Sequence, residues 1–214
     1  MFGRFAEALV REIGLRADEI TDETNTLYIG GGTPSVLPLC VYERILDALK
    51  EAGHGRPYDE FTVEVNPEDI VDKGEAYVKG LLALGVNRIS MGVQSFNDDR
   101  LKFLRRRHSG ADAENAVKRA QDCGFSNISI DLIFGFPDED LSAWKEDIER
   151  ATRIGVQHIS AYALTYEEGT ALHRMLTSGK VKEIDEGLFE QMYYCLADKL
   201  KEYLGEGRRV TIDG

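Results

Sequence analysis

The sequence predicts an α/β fold built on a parallel sheet of about six βα units, and three observations carry that reading. Helical and strand-like patterns alternate: stretches with apolar residues at spacings of three and four are separated by short runs rich in β-branched and aromatic residues. The strand-like runs begin at Thr26, Phe61, Arg88, Asn127 and His158, so successive units take 35, 27, 39 and 31 residues. A glycine recurs in one register before three of them, in Gly85-Val-Asn-Arg-Ile89, Gly124-Phe-Ser-Asn-Ile128 and Gly155-Val-Gln-His-Ile159. A helix that ends on a left-handed glycine and returns to a strand is the repeating joint of such a chain.

Taken in order, Phe2, Phe5, Leu9 and Ile13 form the apolar stripe of a first helix, and Thr26–Ile29 is the first strand. Leu39, Tyr42, Leu46 and Leu49 mark the second helix, before a strand at Phe61–Val65. A shorter helix is expected at Glu75–Leu84, and a strand at Arg88–Met91. Ala113, Ala116, Ala120 and Cys123 line the next helix, which leads into Asn127–Ile133. Leu141, Trp144, Ile148 and Ala151 line another, with Trp144 in the core, and His158–Tyr162 follows as a strand. Leu188, Met192, Cys195, Lys199 and Tyr203 mark a last, less regular helix. Residues 1–204 read as one domain, and 205–214 as a frayed tail or a short edge strand. Eight units at this spacing would need roughly 260 residues, the size of a full barrel. The chain also opens on a helix, whereas a parallel sheet normally opens on a strand, so the first strand of the pattern is expected to be missing.

Composition narrows the function. Lys+Arg number 26 against 38 Asp+Glu, and a net charge of −12 offers no electrostatic footprint for nucleic acid. Hydrophobic residues at 43% and charged residues at 30% exclude wholesale disorder. No apolar run reaches the roughly 18–20 residues of a membrane span, and the first residues resemble neither a signal nor a transit peptide. Cys40, Cys123 and Cys195 stand 83 and 72 residues apart, which fits neither a disulfide framework nor a metal site. The expectation is a cytoplasmic protein with reduced thiols, each on an apolar helix face.

Ligands of parallel α/β folds bind at the carboxyl ends of the strands. The first strand runs into Gly30-Gly-Gly-Thr-Pro34, which either makes a plain tight turn or lets backbone N–H groups approach a ligand. No Gly-Lys-Ser/Thr follows, so it is not a P-loop. Glu64 ends the second strand, where a carboxylate either salt-bridges a neighbour or accepts from ribose hydroxyls or an ammonium. Gln94 ends the third, as an interstrand amide or a ligand contact. Asp131 lies in the apolar run Ile128-Ser-Ile-Asp-Leu-Ile-Phe134 and must be paired, liganded or protonated. Arg105-Arg-Arg-His108 is a basic island that suits a helix end, from which one arginine could turn inward to clamp a carboxylate. His108 is read as a helix-end residue, and His54, His158 and His173 as structural or exposed. The Gly-x-Ser-x-Gly elbow of a serine hydrolase is absent, and no lysine ends a strand to form a Schiff base. Glycine amides, carboxylates, an amide and an arginine together suit an amino-acid-bearing nucleoside.

Several segments together resemble the radical S-adenosylmethionine family of oxygen-independent coproporphyrinogen III oxidase. They are Leu27-Tyr-Ile-Gly-Gly-Gly-Thr-Pro-Ser35, Glu64-Val-Asn-Pro67, Asn87-Arg-Ile-Ser-Met-Gly-Val-Gln-Ser-Phe96, Ser129-Ile-Asp-Leu-Ile-Phe-Gly-Phe-Pro137 and His158-Ile-Ser-Ala-Tyr-Ala-Leu-Thr-Tyr-Glu-Glu-Gly-Thr170. The resemblance covers roughly residues 1–200. Leu101-Lys-Phe-Leu-Arg-Arg-Arg-His108 and Leu164-Thr-Tyr-Glu-Glu-Gly-Thr170 look more like its haem-chaperone branch than its oxidase branch. The resemblance implies a partial (β/α)6, TIM-like barrel that binds S-adenosylmethionine beside a [4Fe–4S] cluster. It places the methionyl group on Gly31, Gly32 and Thr33, and assigns the strand-end acid to Glu64. It assigns the amide, arginine and aspartate to Gln94, Arg106 and Asp131, with Thr165 as a further backbone contact.

An oxidase of the family forms a 5′-deoxyadenosyl radical that abstracts substrate hydrogen during decarboxylation. A chaperone carries haem to target proteins. The implied partners are thus small molecules, porphyrin or haem among them. The family's Cys-x-x-x-Cys-x-x-Cys, which holds the cluster, does not occur in this sequence, nor is its C-terminal domain evident. The chain therefore reads as a fragment that lacks the first strand and its loop and is inactive alone in radical chemistry. It is expected to self-associate through an exposed sheet edge.

Overall fold

The computed structural model describes residues 2–21, 24–55, 57–205 and 209–213. Six parallel strands lie in sequence order in one sheet: β1 (Thr26–Ile29), β2 (Glu60–Val65), β3 (Arg88–Gln94), β4 (Ile128–Phe134), β5 (His158–Ala163) and β6 (Arg209–Asp213). The helices between them are α1 (Phe2–Leu15), α2 (Leu39–Glu51), α3 (Pro67–Ala83), α4 (Asp98–Phe103), α5 (Gly110–Asp122), α6 (Leu141–Arg153), α7 (Ala171–Thr177) and α8 (Glu186–Leu204). All five expected strands form, and the segment left open between tail and strand is β6, paired with β5 from His158↔Arg209 to Tyr162↔Asp213. The remainder of the expected tail, 206–208 and 214, lies outside the described residues.

Successive residues of a strand point to opposite faces, and the chain separates polar from apolar by that parity. Phe61, Val63, Ile89, Met91, Ile128, Ile130, Leu132, Ile159 and Ala161 share one face and are buried in the core. The helices cover it, α1 against α2, α3 against α5 and α6 against α8. Trp144 stacks on Phe134, with ring centroids 5.2 Å apart, and its indole N–H donates to the Met192 carbonyl at 3.1 Å. The opposite face carries Thr62, Glu64, Arg88, Ser90, Ser129, Asp131, His158, Ser160 and Thr211.

Hydrogen bonds knit that polar face together. Arg88 donates to Thr62 Oγ1 at 3.3 Å and to His158 Nδ1 at 3.4 Å. His158 Nε2 then donates to Thr211 Oγ1 at 3.0 Å, which makes His158 a neutral imidazole. Burial, and then the Arg88 charge, hold its pKa below the usual value. The sheet is thus part of a barrel wall, apolar outside and polar inside.

The three glycines of the recurring register do end their helices in the left-handed region, with φ of +92° at Gly85, +113° at Gly124 and +77° at Gly155. At the first, Val86 N–H reaches back to Leu81 O and Gly85 N–H to Leu82 O, the paired bonds that satisfy the last carbonyls of a helix. The third helix is longer than expected because Pro67 starts it and Gly74, at φ +70°, lets it kink and continue. Helices α4 and α7 were not expected; at 6 and 7 residues they are too short to show a period. Cys40 is exposed, which corrects its assignment to an apolar face, while Cys123 and Cys195 are half-buried. In α2 the buried stripe is Val41, Tyr42, Ile45, Ala48 and Leu49, which turns Cys40 outward.

Two polar clusters fix the loops at the carboxyl ends of the strands. After β1, Ser35 is fully buried; its hydroxyl donates to Asp69 Oδ2 at 2.6 Å and accepts from Asn66 N–H at 3.0 Å. Tyr42 and Lys73 donate to the Pro34 and Ser35 carbonyls. After β3 and β4, Arg100 Nη1 pairs with Glu139 at 2.8 Å and Asp147 at 3.2 Å. Asp147 also accepts from Ser95 Oγ at 2.6 Å and Phe96 N–H at 3.0 Å, and Glu139 from Gly135 N–H at 2.7 Å and Phe136 N–H at 3.0 Å. Burial raises the pKa of both carboxyls, against the pull of Arg100.

Substituting Asp69→Ala leaves the Ser35 hydroxyl buried without its acceptor and is expected to cost about 1–3 kcal/mol. A melting temperature within experimental error of wild type would contradict this account. Glycine substitutions test the joints with opposite signs. Gly85→Ala should destabilise by roughly 1–2 kcal/mol through its positive φ. Gly14→Ala, in the last turn of α1 with open space for a Cβ, should stabilise by about 0.5 kcal/mol. Chemical denaturation of the two variants reads both signs.

Candidate functional site

The glycine turn after β1 owes its shape to three consecutive left-handed residues, Gly31 (φ +77°), Gly32 (φ +59°) and Thr33 (φ +75°). The first two need glycine; Thr33 adopts the conformation against the preference of a β-branched residue. The turn is tied to β2 by Gly31 N–H, which donates to Glu64 Oε2 at 2.8 Å. On the other carboxylate oxygen, the Tyr28 hydroxyl donates to Glu64 Oε1 at 2.6 Å. Burial, and then Glu64, push the Tyr28 phenol above its ordinary pKa, so it stays a donor. Gly30 has no Cβ where one would overlap the Tyr28 ring and lie 2.8 Å from Glu64 Oε1. Each of the three glycines thus has a local structural reason to be glycine, as a plain tight turn requires.

Asn66 caps α3 in an unusual way. It stands at the N-cap, yet its side chain makes no cap hydrogen bond. The amide instead bridges the site: Nδ2 donates to Thr33 Oγ1 at 3.3 Å, and Oδ1 accepts from Arg106 Nη1 at 3.4 Å. Arg106 is the inward-turned arginine of the basic island. It follows Arg105, whose φ of +57° closes α4 as a glycine would. Gln94 ends β3 at φ +69°, beside an irregularity in the β3–β4 register. A Cβ on Gly92 would lie 2.9 Å from Gln94 Nε2 and 3.4 Å from Arg106 Nη2 and Asn66 Oδ1. Glycine at 92 is thus what lets the amide, the arginine and the asparagine meet.

Asp131 faces the same space from β4. Burial pushes its carboxyl up to about 6, the Glu64 charge adds to this, and Arg88, a Ser160 hydrogen bond and Arg106 oppose it. Near neutral pH it is a carboxylate only partly compensated by its surroundings, so an added cation or hydroxyl donor would stabilise it.

His108, read from sequence as a helix-end residue, is instead buried between two acceptors. Its Nδ1 lies 2.9 Å from Glu68 Oε2 and its Nε2 3.0 Å from the Val93 carbonyl. Burial is the largest single influence and opposes the charge on Glu68, but the His108 hydrogen bond, a backbone hydrogen bond and the His108 and Arg107 charges together outweigh it and hold that carboxyl at about 2. This pair braces the Arg105–His108 segment against β3 and α3, and so fixes Arg106.

Of the residues singled out in the sequence, Gly31, Gly32, Thr33, Glu64, Gln94, Arg106 and Asp131 come together at the carboxyl ends of β1–β4. Thr165 lies exposed in the loop after β5, and among the described residues no side-chain hydrogen bond ties it to the others. Sequence reasoning did not single out Tyr28 or Arg88. Their signal is parity: each shares a strand face with a candidate acid, visible only once the strands are in register. Among the described residues there is no group of three or more His, Cys, Asp or Glu that could hold a metal ion, and no helix is long and apolar enough to cross a membrane.

The Radical SAM superfamily sequence model matches residues 1–151. The chain is 36% identical over 196 residues to the heme chaperone HemW of Lactococcus lactis, covering 92% of this chain and 50% of the relative. It is 32% identical over 182 residues to HemW of Bacillus subtilis, covering 85% and 47%. It therefore spans about half the length of these relatives. Among solved structures, coproporphyrinogen III oxidase (HemN) from Escherichia coli superposes with a TM-score of 0.78 at 24% identity, over 96% of this chain and 46% of that one. The archaeal Methanocaldococcus infernus Elp3 gives 0.67 at 23% identity, over 89% and 48%. Both share the fold, a partial TIM-like barrel. With the family model spanning most of the chain and relatives above 30% identity across nearly all of it, the chain belongs to the radical SAM superfamily, among relatives of the heme chaperone HemW.

Proposed function

We propose that these residues form the S-adenosylmethionine-binding core of a haem-chaperone-type protein. One observation supports the reading most: a glycine turn with open backbone, two acids, an amide and an arginine converge at adjacent strand ends. S-adenosylmethionine carries complementary groups, namely a carboxylate, an ammonium, a sulfonium and ribose hydroxyls. In this reading Gly31, Gly32 and Thr33 receive the methionyl group through the backbone, and Glu64 accepts from the ribose hydroxyls. Arg106, held by Asn66, takes carboxylate, while Gln94 and Asp131 accept from the remaining donors, with Thr165 as an outlying backbone contact. When bound beside a reduced cluster, this cofactor supplies a 5′-deoxyadenosyl radical.

The cluster does not fit the residues present. Cys40, Cys123 and Cys195 lie on α2, at the end of α5 and on α8, as free thiols in three separate places. In this reading these 214 residues do not carry out radical chemistry alone. Haem transfer is the activity favoured for the whole protein, because several of the relatives that match most of the chain are heme chaperones. A non-catalytic fragment that binds S-adenosylmethionine or haem is the second reading, favoured by the missing three-cysteine motif.

Calorimetric titration with S-adenosylmethionine tests the site. Binding is expected, stronger at pH 7.5 than at pH 5, because Asp131 loses its proton near 6. Asp131→Asn should weaken it by tenfold or more. Absence of binding, or binding indifferent to Asp131 and Glu64, would overturn the reading.

The same substitution has a second outcome with the opposite benefit. The Asp131 carboxyl titrates near 3.8 when unfolded and about 6 when folded, so the folded state holds its proton more tightly. Its contribution to stability is present below about pH 4 and is lost as pH rises to 6. Asp131→Asn should remove that loss and exceed wild type at pH 7.5 by about 1–3 kcal/mol, read by urea denaturation at both pH values.

A further inference from the structure

The Glu64 carboxylate already holds two protein donors, one on each oxygen: Tyr28 Oη at 2.6 Å and Gly31 N at 2.8 Å. A carboxylate has about four lone-pair positions, two on each oxygen. One acceptor position on each oxygen therefore remains after these two bonds. Two adjacent hydroxyls on one ligand present the same pattern. We infer that Tyr28 is a positioning residue, which together with the Gly31 amide turns the Glu64 carboxylate so that it can accept from both hydroxyls of a ribose at once. This inference rests on the reading of Glu64 as the hydroxyl acceptor.

Three features suit Tyr28 to the role. It lies on β1 in register with Thr62, which places its side chain on the polar face beside Glu64. Gly30 leaves the space that its ring occupies on the way to Oε1. The residue is 55% exposed, so the fold gains little from burying it. An exposed tyrosine whose hydroxyl makes a short bond to a carboxylate is placed by that bond and not by packing. Without the phenol, Glu64 keeps the Gly31 bond alone and is free to rotate about its terminal torsion, which is broad for a carboxylate.

The test is calorimetric titration of the chain with S-adenosylmethionine, for wild type, Tyr28→Phe, Glu64→Gln and the double variant. Tyr28→Phe keeps the ring and is expected to melt within a degree or two of wild type. It should weaken binding several-fold to about tenfold. In the Glu64→Gln background the same change should have little effect, because the group being oriented is no longer a carboxylate. Unchanged affinity in Tyr28→Phe, or an equal loss with and without Glu64, would overturn the inference. So would tighter binding, which would make Tyr28 a competitor for the Glu64 oxygens. If wild type fails to bind, the reading of the site falls and takes this inference with it. If wild type binds and only the Tyr28 effect is missing, the site reading stands and the inference alone fails.

Discussion

The two-residue period of the strands is the constraint on which the rest of this structure depends. Six parallel strands in sequence order send alternate residues to opposite sides, and the register aligns like with like. Val63 lies beside Ile89, and Ile130 beside Ile159, on the helix-covered side. Glu64 lies beside Ser90, and Asp131 beside Ser160, on the other. A slip of one residue in a single strand would carry a carboxylate into the core and an isoleucine into the trough. The interior of an ordinary closed barrel is filled with branched apolar side chains. Here that space is lined with hydroxyls, carboxylates, an arginine and a neutral histidine, so it is a polar trough and not a packed core.

The chemistry of the strand ends is held from behind by charge. The N-terminus of α3 works in two directions. Asp69 fixes the turn after β1 through Ser35, and Glu68 fixes the segment after α4 through His108. Asn66, at the N-cap of the same helix, bridges the two groups so fixed. On the far side, Arg100 between Glu139 and Asp147 binds the loop after β3 to the loop after β4. Around the glycine turn the supports Ser35, Asp69 and His108 are buried, whereas Gly31 and Gly32 are exposed and Thr33 and Arg106 half-buried. That is the arrangement expected where precision matters more than contact area.

Much of the fold was legible in the chain, and the reasons differ by element. The strands stood out because short apolar runs were separated by helices long enough to show a period. The Gly-x-x-x-Ile register marked three joints because a helix end in the left-handed region has few alternatives to glycine. Asp131 was legible because a carboxylate in an apolar strand needs an explanation wherever the strand lies. Tyr28 and Arg88 were not legible, since their meaning comes from residues 36 and 26 positions away on the next strand. His108 was misread because a basic run at a helix end is ordinarily solvated, and only the fold brings Glu68 beneath it. Cys40 was misplaced because the buried stripe of α2 is rotated from the one its leucines suggested.

Three residues of the site hold backbone conformations that do not suit them. Thr33, Gln94 and Arg105 all have positive φ, at 75°, 69° and 57°. Each costs on the order of 1 kcal/mol or more relative to a residue at ease there. Glycine at all three would relax the backbone, and in each case it would delete either a side chain of the cluster or the joint that aims Arg106. Drift towards thermal robustness alone would therefore erode this site first, at positions where the substitution looks harmless to the fold. Efforts to stabilise the domain by consensus or by strain relief should leave these three positions alone.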